Sequence, residues 1–118
     1  MGLSAGEAHS FSFSFQWGDI KLCTSGRPGR VANPIFSMRN VPEGTARIDF
    51  NMTDLDVPSY RHGGGRVRYR GANTIEPGAF RYKSPCPPSG RHTYEWTAVA
   101  RDQRGKELAT ATARRQYP

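Results

Sequence analysis

Asp54, Asp56 and His92 are the residues whose types and setting point most directly to chemistry. The two carboxylates stand two apart near the end of residues 48–58, IDFNMTDLDVP. In that stretch Ala46, Ile48, Phe50 and Met52 recur at period two and share one face of a strand. If the strand continues, Asp54 and Asp56 fall on its apolar side. Buried carboxylates need partners, because an unpaired charge away from water is costly. A second alternating run offers one: His92, Tyr94, Trp96 and Ala98 share a face, with Thr93, Glu95, Thr97 and Val99 on the other. His92 thus continues an aromatic core face directly after the rigid loop 84–90, SPCPPSG. The expectation is one pocket in which Asp54, Asp56 and His92 converge. Aspartates cannot themselves hold an anion, so beside one they orient donors or carry protons. A histidine held by a carboxylate is placed to donate to a phosphate oxygen. The plainer alternative is a carboxylate pair capping turns at a strand end, with the histidine satisfied inside the core.

The elements that must position these groups come from a chain of 118 residues, enough for one domain of modest core. The expected organisation is a flexible N-terminus over residues 1–8 and a single domain over 9–118. No apolar run approaches the roughly 20 residues needed to span a bilayer. Residues 1–10 show neither the basic nor the apolar region of a signal peptide. The net charge is +7, and it is unevenly spread. From 59 to 92 the bases Arg61, Arg66, Arg68, Arg70, Arg81, Lys83 and Arg91 face one acid, Glu76. Most of the 17 bases are arginine, whose planar fork suits phosphate and carboxylate. Cys23 and Cys86 are the two cysteines, and both fall in Gly/Pro-rich loops, which favours a disulfide over two free thiols. A bridge would favour a periplasmic or secreted location, and free thiols a cytoplasmic one.

Along the chain, residues 9–17 alternate Phe11, Phe13, Phe15 and Trp17 with Ser10, Ser12, Ser14 and Gln16, the pattern of a strand. Residues 24–34 read as a loop, 35–38 as a short strand and 40–44 as a turn. His62 precedes three glycines, which let backbone approach a ligand or another strand closely. Val67 and Tyr69 alternate with Arg66, Arg68 and Arg70, a half-exposed strand with a basic face. Residues 79–83 and 93–101 read as strands, the latter ending in a type I turn at Asp102–Gly105. In 108–117 threonines alternate with alanines after that turn, so the segment reads as the second strand of a hairpin. The fold class is all-β, antiparallel, with few or no helices.

Three runs then carry a family resemblance. Asn33-Pro34-Ile35-Phe36-Ser37-Met38 with Asn40-Val41-Pro42-Glu43-Gly44-Thr45, Asp54-Leu55-Asp56-Val57-Pro58, and Pro85-Cys86-Pro87-Pro88-Ser89-Gly90-Arg91-His92-Thr93-Tyr94 follow one another in the order and approximate spacing of a known set. Over residues 11–118 the chain resembles the phosphatidylethanolamine-binding proteins, also called Raf kinase inhibitor-like proteins, as a compact bacterial-type member. The resemblance implies an antiparallel β-sandwich with a small anion-binding pocket that accepts phosphate-like headgroups. It places Asp54, Asp56, Pro87, His92 and Tyr94 at the pocket, with Cys86 inside the proline loop and His62 standing in for a histidine whose local motif is absent. Ser84 stands where the family usually has glycine, and the helical segment before the last strand is missing.

The function expected is non-catalytic binding of a small phosphate- or carboxylate-bearing ligand, such as a phospholipid headgroup. The protein is not expected to be an enzyme, because no activated nucleophile is visible, and no cofactor is implied. Gly2-Leu3-Ser4-Ala5-Gly6 and His62-Gly63-Gly64-Gly65 imitate esterase motifs, but Ser4 lacks the preceding strand that a nucleophile elbow needs. Two other readings remain. Asp54, Asp56, His62 and His92 carry metal-ligand types, although without tight metal spacing, so a metal-dependent hydrolase is conceivable. The basic segment 61–91 would suit a polyanion or nucleic acid, although no nucleic-acid motif accompanies it.

Overall fold

The computed structural model describes residues 10–118. His9, the serine motif at residues 2–6 and the expected N-terminal tail lie outside the described residues. Nine strands make up the regular structure: β1 (Ser12–Gln16), β2 (Arg30–Ala32), β3 (Ile35–Arg39), β4 (Arg47–Asp54), β5 (Gly64–Arg68), β6 (Thr74–Ile75), β7 (Arg81–Lys83), β8 (His92–Arg101) and β9 (Glu107–Tyr117). Among the described residues there is no helix, and every strand pair is antiparallel. A four-stranded sheet runs β5-β4-β8-β9, a three-stranded sheet β1-β3-β6, and β2 and β7 form a ribbon.

The period-two runs do what their pattern demands. β4 buries Ile48, Phe50 and Met52, and β8 buries Tyr94, Trp96, Ala98 and Ala100. Their register sets large against small: Ile48 lies opposite Ala100 and Phe50 opposite Ala98, while Met52 meets Trp96. The small side chains leave room for the facing sheet, whose Phe13, Phe15, Phe36 and Met38 close the sandwich. Phe36 stacks on Phe50 at 4.2 Å between ring centroids, and Trp96 meets Phe36 edge-on at 5.3 Å and Tyr82 at 5.0 Å. The β8–β9 hairpin turns at Asp102–Gly105, where Gly105 donates to the Asp102 carbonyl at 3.0 Å. Trp17 Nε1 donates to the Gln116 carbonyl and so ties the β1 end to the last strand.

Two short strands escape the sequence pattern. β2 sits inside the Gly/Pro-rich segment read as a loop, and pairs with β7 over only three residues. β6 is two residues long and pairs with β3. Neither is long enough to show a period. Buried Asn33 organises this region: its Oδ1 accepts from the backbone of Gly78, Ala79 and Phe80, and its Nδ2 donates to the Pro34 and Glu76 carbonyls.

The glycines after His62 allow a close approach between strands. A Cβ on Gly64 would stand 1.8 Å from the Phe50 carbonyl oxygen, and one on Gly65 2.4 Å from the Phe80 ring. A methyl at Gly64 has to displace backbone rather than a pliable side chain. Gly64→Ala is therefore expected to cost about 3 kcal/mol or more in urea unfolding. A loss below about 1 kcal/mol would mean that β5 shifts freely against β4.

Candidate functional site

β4 ends at Asp54, which lies opposite Tyr94 of β8. The strand stops there because the Asp54 side chain takes over the backbone donors that follow. Its Oδ1 accepts from Asp56 N at 2.9 Å and from Val57 N at 3.3 Å, an aspartate-closed turn. Its Oδ2 faces His92 Nδ1 at 2.7 Å. Asp54 is 5% exposed, and both of its oxygens are hydrogen-bonded, as a buried carboxyl requires. Asp56 behaves differently. It lies past the end of the strand, is exposed, and its Oδ2 accepts from Thr93 N at 2.8 Å. The expectation that both aspartates share the apolar face holds for Asp54 alone. Asp56 instead caps the start of β8 and fixes the backbone beside His92.

His92 donates Nδ1–H to Asp54, which leaves Nε2 without a partner among the described residues. A second histidine stands across the pocket. His62 is 3% exposed, packed between Tyr60 and Tyr94 at 4.7 and 5.6 Å between ring centroids. Its Nδ1 lies 2.7 Å from the Lys83 carbonyl, which can only accept, so Nδ1 carries the proton and Nε2 offers a lone pair. Burial pushes the His62 pKa down, outweighing the Lys83 carbonyl and the Asp54 carboxylate, which act the other way. Burial, then the neighbouring Asp54 charge, holds the Tyr94 phenol above its ordinary range, so it stays a hydroxyl donor.

His62 takes up its proton at lower pH when folded than when unfolded, where the ordinary value is 6.5. The unfolded chain therefore binds more protons below that pH, and stability rises with pH through this window. Between pH 7.5 and pH 5 the wild-type melting temperature is expected to fall more than that of His62→Gln. Equal falls would mean that His62 titrates as it does in the unfolded chain.

The pocket has a volume of about 220 Å³, and its walls include Asp54, His62, Cys86, Pro87, His92 and Tyr94. Pro88, Val57 and Tyr60 complete its rim together with Gly26 and Pro28. The last two come from a loop far away in sequence. Cys23 and Cys86 form a disulfide that spans 63 positions and brings residues 23–29 over the proline loop. The far end of that loop is clipped as well: Ser84 N donates to the Gly29 carbonyl at 2.8 Å, and Gly29 N donates to Ser84 Oγ at 3.2 Å. Ser84 thus has a task that glycine could only half perform. Gly26 has φ +78° and lies against Pro88, where a Cβ would come within 3.1 Å, so a side chain is both strained and crowded there.

Six of the seven residues singled out in the sequence line this pocket: Asp54, His62, Cys86, Pro87, His92 and Tyr94. Asp56 adjoins it through Thr93. Gly26, Pro28, Val57 and Tyr60 were not anticipated. For the first two the usable signal was the pairing of Cys23 with Cys86.

No protein-family model and no curated protein matches the sequence. Among solved structures, a phosphatidylethanolamine-binding protein homologue from Chlamydia trachomatis superposes with a TM-score of 0.65 at 18% identity. The match covers 94% of this chain and 99% of that one. The chain has the fold of a phosphatidylethanolamine-binding protein homologue. Because β4 and β8 are antiparallel neighbours, the aspartate turn that ends one and the proline loop that precedes the other meet at the same end of the sheet.

Part of the metal-type donor set is already committed. Ligand atoms of Asp54, Asp56 and His92 lie within 4.8 Å of one another. Asp54 and His92 are bonded to each other, Asp54 Oδ1 and Asp56 Oδ2 hold backbone amides, and His62 Nδ1 is committed to Lys83. A metal drawing on Asp54 would compete with these bonds, whereas His92 Nε2 and Asp56 Oδ1 hold no hydrogen bond among the described residues.

Proposed function

We propose that the pocket binds, without turnover, a small ligand that carries a phosphate or carboxylate group, a phospholipid headgroup such as phosphorylethanolamine being one example. The observation that carries this reading is the Asp54–His92 pair, whose carboxylate is buried and whose imidazole lines a pocket walled largely by prolines and aromatics. In its imidazolium form His92 donates Nε2–H to a ligand oxygen, balanced behind by Asp54. The Tyr94 hydroxyl faces the same Asp54 carboxylate and lines the pocket beside it. The neutral His62 offers an acceptor to an acidic P–OH or to an ammonium group. A pocket of about 220 Å³ suits a headgroup rather than a whole lipid. The fold likeness to a phosphatidylethanolamine-binding protein homologue supports the same class of ligand. No side chain in the pocket is built as an activated nucleophile, which favours binding over catalysis.

His92→Ala is expected to weaken binding of phosphorylethanolamine by about tenfold, the worth of one charge-assisted hydrogen bond. Its urea unfolding midpoint should stay near that of the wild type. Unchanged affinity in calorimetry would remove His92 from the site.

Three bases of the segment 61–91 are engaged with different partners. Arg66 turns to Asp49, Arg81 donates to the Arg30 carbonyl, and the Lys83 ammonium sits over the Tyr60 ring.

A further inference from the structure

The outer face of the four-stranded sheet carries an arginine array that the pocket does not use. In register, Arg47 of β4 lies opposite Arg68 of β5 on one side and Arg101 of β8 on the other. Three arginines therefore stand in one row, with adjacent strands about 4.8 Å apart. Like charges directly opposite one another destabilise a sheet, so such a row calls for counter-charge. Asp49, in the next outward-facing row, supplies part of it. Its carboxylate meets Arg47 Nε at 3.2 Å and Arg101 Nε at 3.0 Å, with Arg66 Nε at 3.9 Å. Arg68 makes no ion pair among the described residues. Four guanidinium groups against one carboxylate leave the array strongly positive. Elsewhere on the sheet the pairing is one to one, as in Arg114 with Glu95.

The row opens onto a surface groove of about 580 Å³ whose walls include Arg47, Arg68, Tyr69, Thr45 and Gln103. Asp102 is the groove's one acid, and its Oδ1 already accepts from the backbone of Arg104 and Lys106. We propose that this array is a second anion site, for ligands with two or more adjacent phosphoryl groups. Within the groove Arg47 and Arg68 stand one strand spacing apart. Arg101, beside the groove and held by Asp49 and the Gly105 carbonyl, extends the row to about 10 Å, which one phosphate cannot bridge and a short phosphoanhydride chain can. Arginine forks engage such oxygens in pairs. One aromatic, Tyr69, lines the groove, so it lacks the stacking platform that single-stranded nucleic acid uses. Arg47 and Asp54 are the first and last residues of β4, so the two sites lie about 23 Å apart along one strand.

The test uses the full chain and inorganic tripolyphosphate, with orthophosphate in parallel, followed by calorimetry at low salt. Tripolyphosphate is expected to bind at least about tenfold more tightly than orthophosphate at this site. Arg68→Ala, an exposed residue without an ion pair, should weaken it about tenfold without loss of fold. His92→Ala should leave it unchanged, and Arg39→Ala, exposed on β3 in the other sheet, should change it less than twofold. Four results would overturn the assignment: no tripolyphosphate binding, equal affinity for orthophosphate, equal weakening by Arg39→Ala, or loss of binding in His92→Ala. Tighter binding of a single-stranded oligonucleotide than of tripolyphosphate would also overturn it, making the face a nucleic-acid surface.

Discussion

Asp54→Asn is expected to weaken headgroup binding as much as His92→Ala, about tenfold, while the protein stays folded. The asparagine keeps the shape of the side chain and an oxygen for the amides of Asp56 and Val57. What changes is the atom facing His92 Nδ1. An amide NH₂ at that position donates, so it forces the imidazole to present a lone pair at Nδ1 instead of a proton, and it withdraws the charge that balances an imidazolium. The stability cost should be about 1–2 kcal/mol, because charge-assisted bonds become neutral ones. Asp54→Ala is different. It strands His92 and two backbone donors in a buried site and should cost about 3 kcal/mol or more. Urea unfolding and phosphorylethanolamine titration, run together on both variants, separate the two effects. Wild-type affinity in Asp54→Asn would reduce Asp54 to a turn cap.

Removal of the disulfide should have the largest effect on stability. Cys23 and Cys86 close a loop of 63 positions, and the chain-entropy model gives about 4 kcal/mol for a loop of that length. The paired serine variant, Cys23→Ser with Cys86→Ser, is expected to lose about that amount. It should also bind headgroup more weakly, since the pocket wall formed by Gly26 and Pro28 is then held by the Ser84–Gly29 clip and the Cys23 N–Tyr117 hydroxyl bond without the bridge. Ser84→Ala alone should show the milder form of the same defect, about 1 kcal/mol. A paired serine variant with unaltered stability and affinity would mean that the 23–29 loop is held by packing, not by the bridge.

The parts of this design that could be read in the sequence are those with a period or a motif. Ile48, Phe50 and Met52 alternate for long enough to declare a strand and its buried face, as do Tyr94, Trp96 and Ala98. The aspartates at the end of one run and the histidine at the start of the other could then be placed together. The limits are equally physical. Asp56 leaves the apolar face because Asp54 captures the next two amides and ends the strand, a competition between side chain and ladder that alternation does not show. β2 and β6 are too short to carry a pattern, and their backbone pairing depends on partners far along the chain. Gly26 and Pro28 belong to the pocket only through a bridge 63 positions long, so nothing local marks them. The row Arg68–Arg47–Arg101 exists only in the register of three strands, although each arginine was visible in its own.

An NMR titration of the isotopically labelled protein with phosphate and phosphorylethanolamine, at low and moderate salt and repeated with His92→Ala, tests the pocket most directly. Amide shifts should concentrate around Asp54, His62, Cys86 and His92, persist at moderate salt, and need about tenfold more ligand in the variant. Shifts spread over the arginine-bearing strands, abolished by salt and indifferent to His92→Ala, would contradict the pocket as the site of headgroup binding.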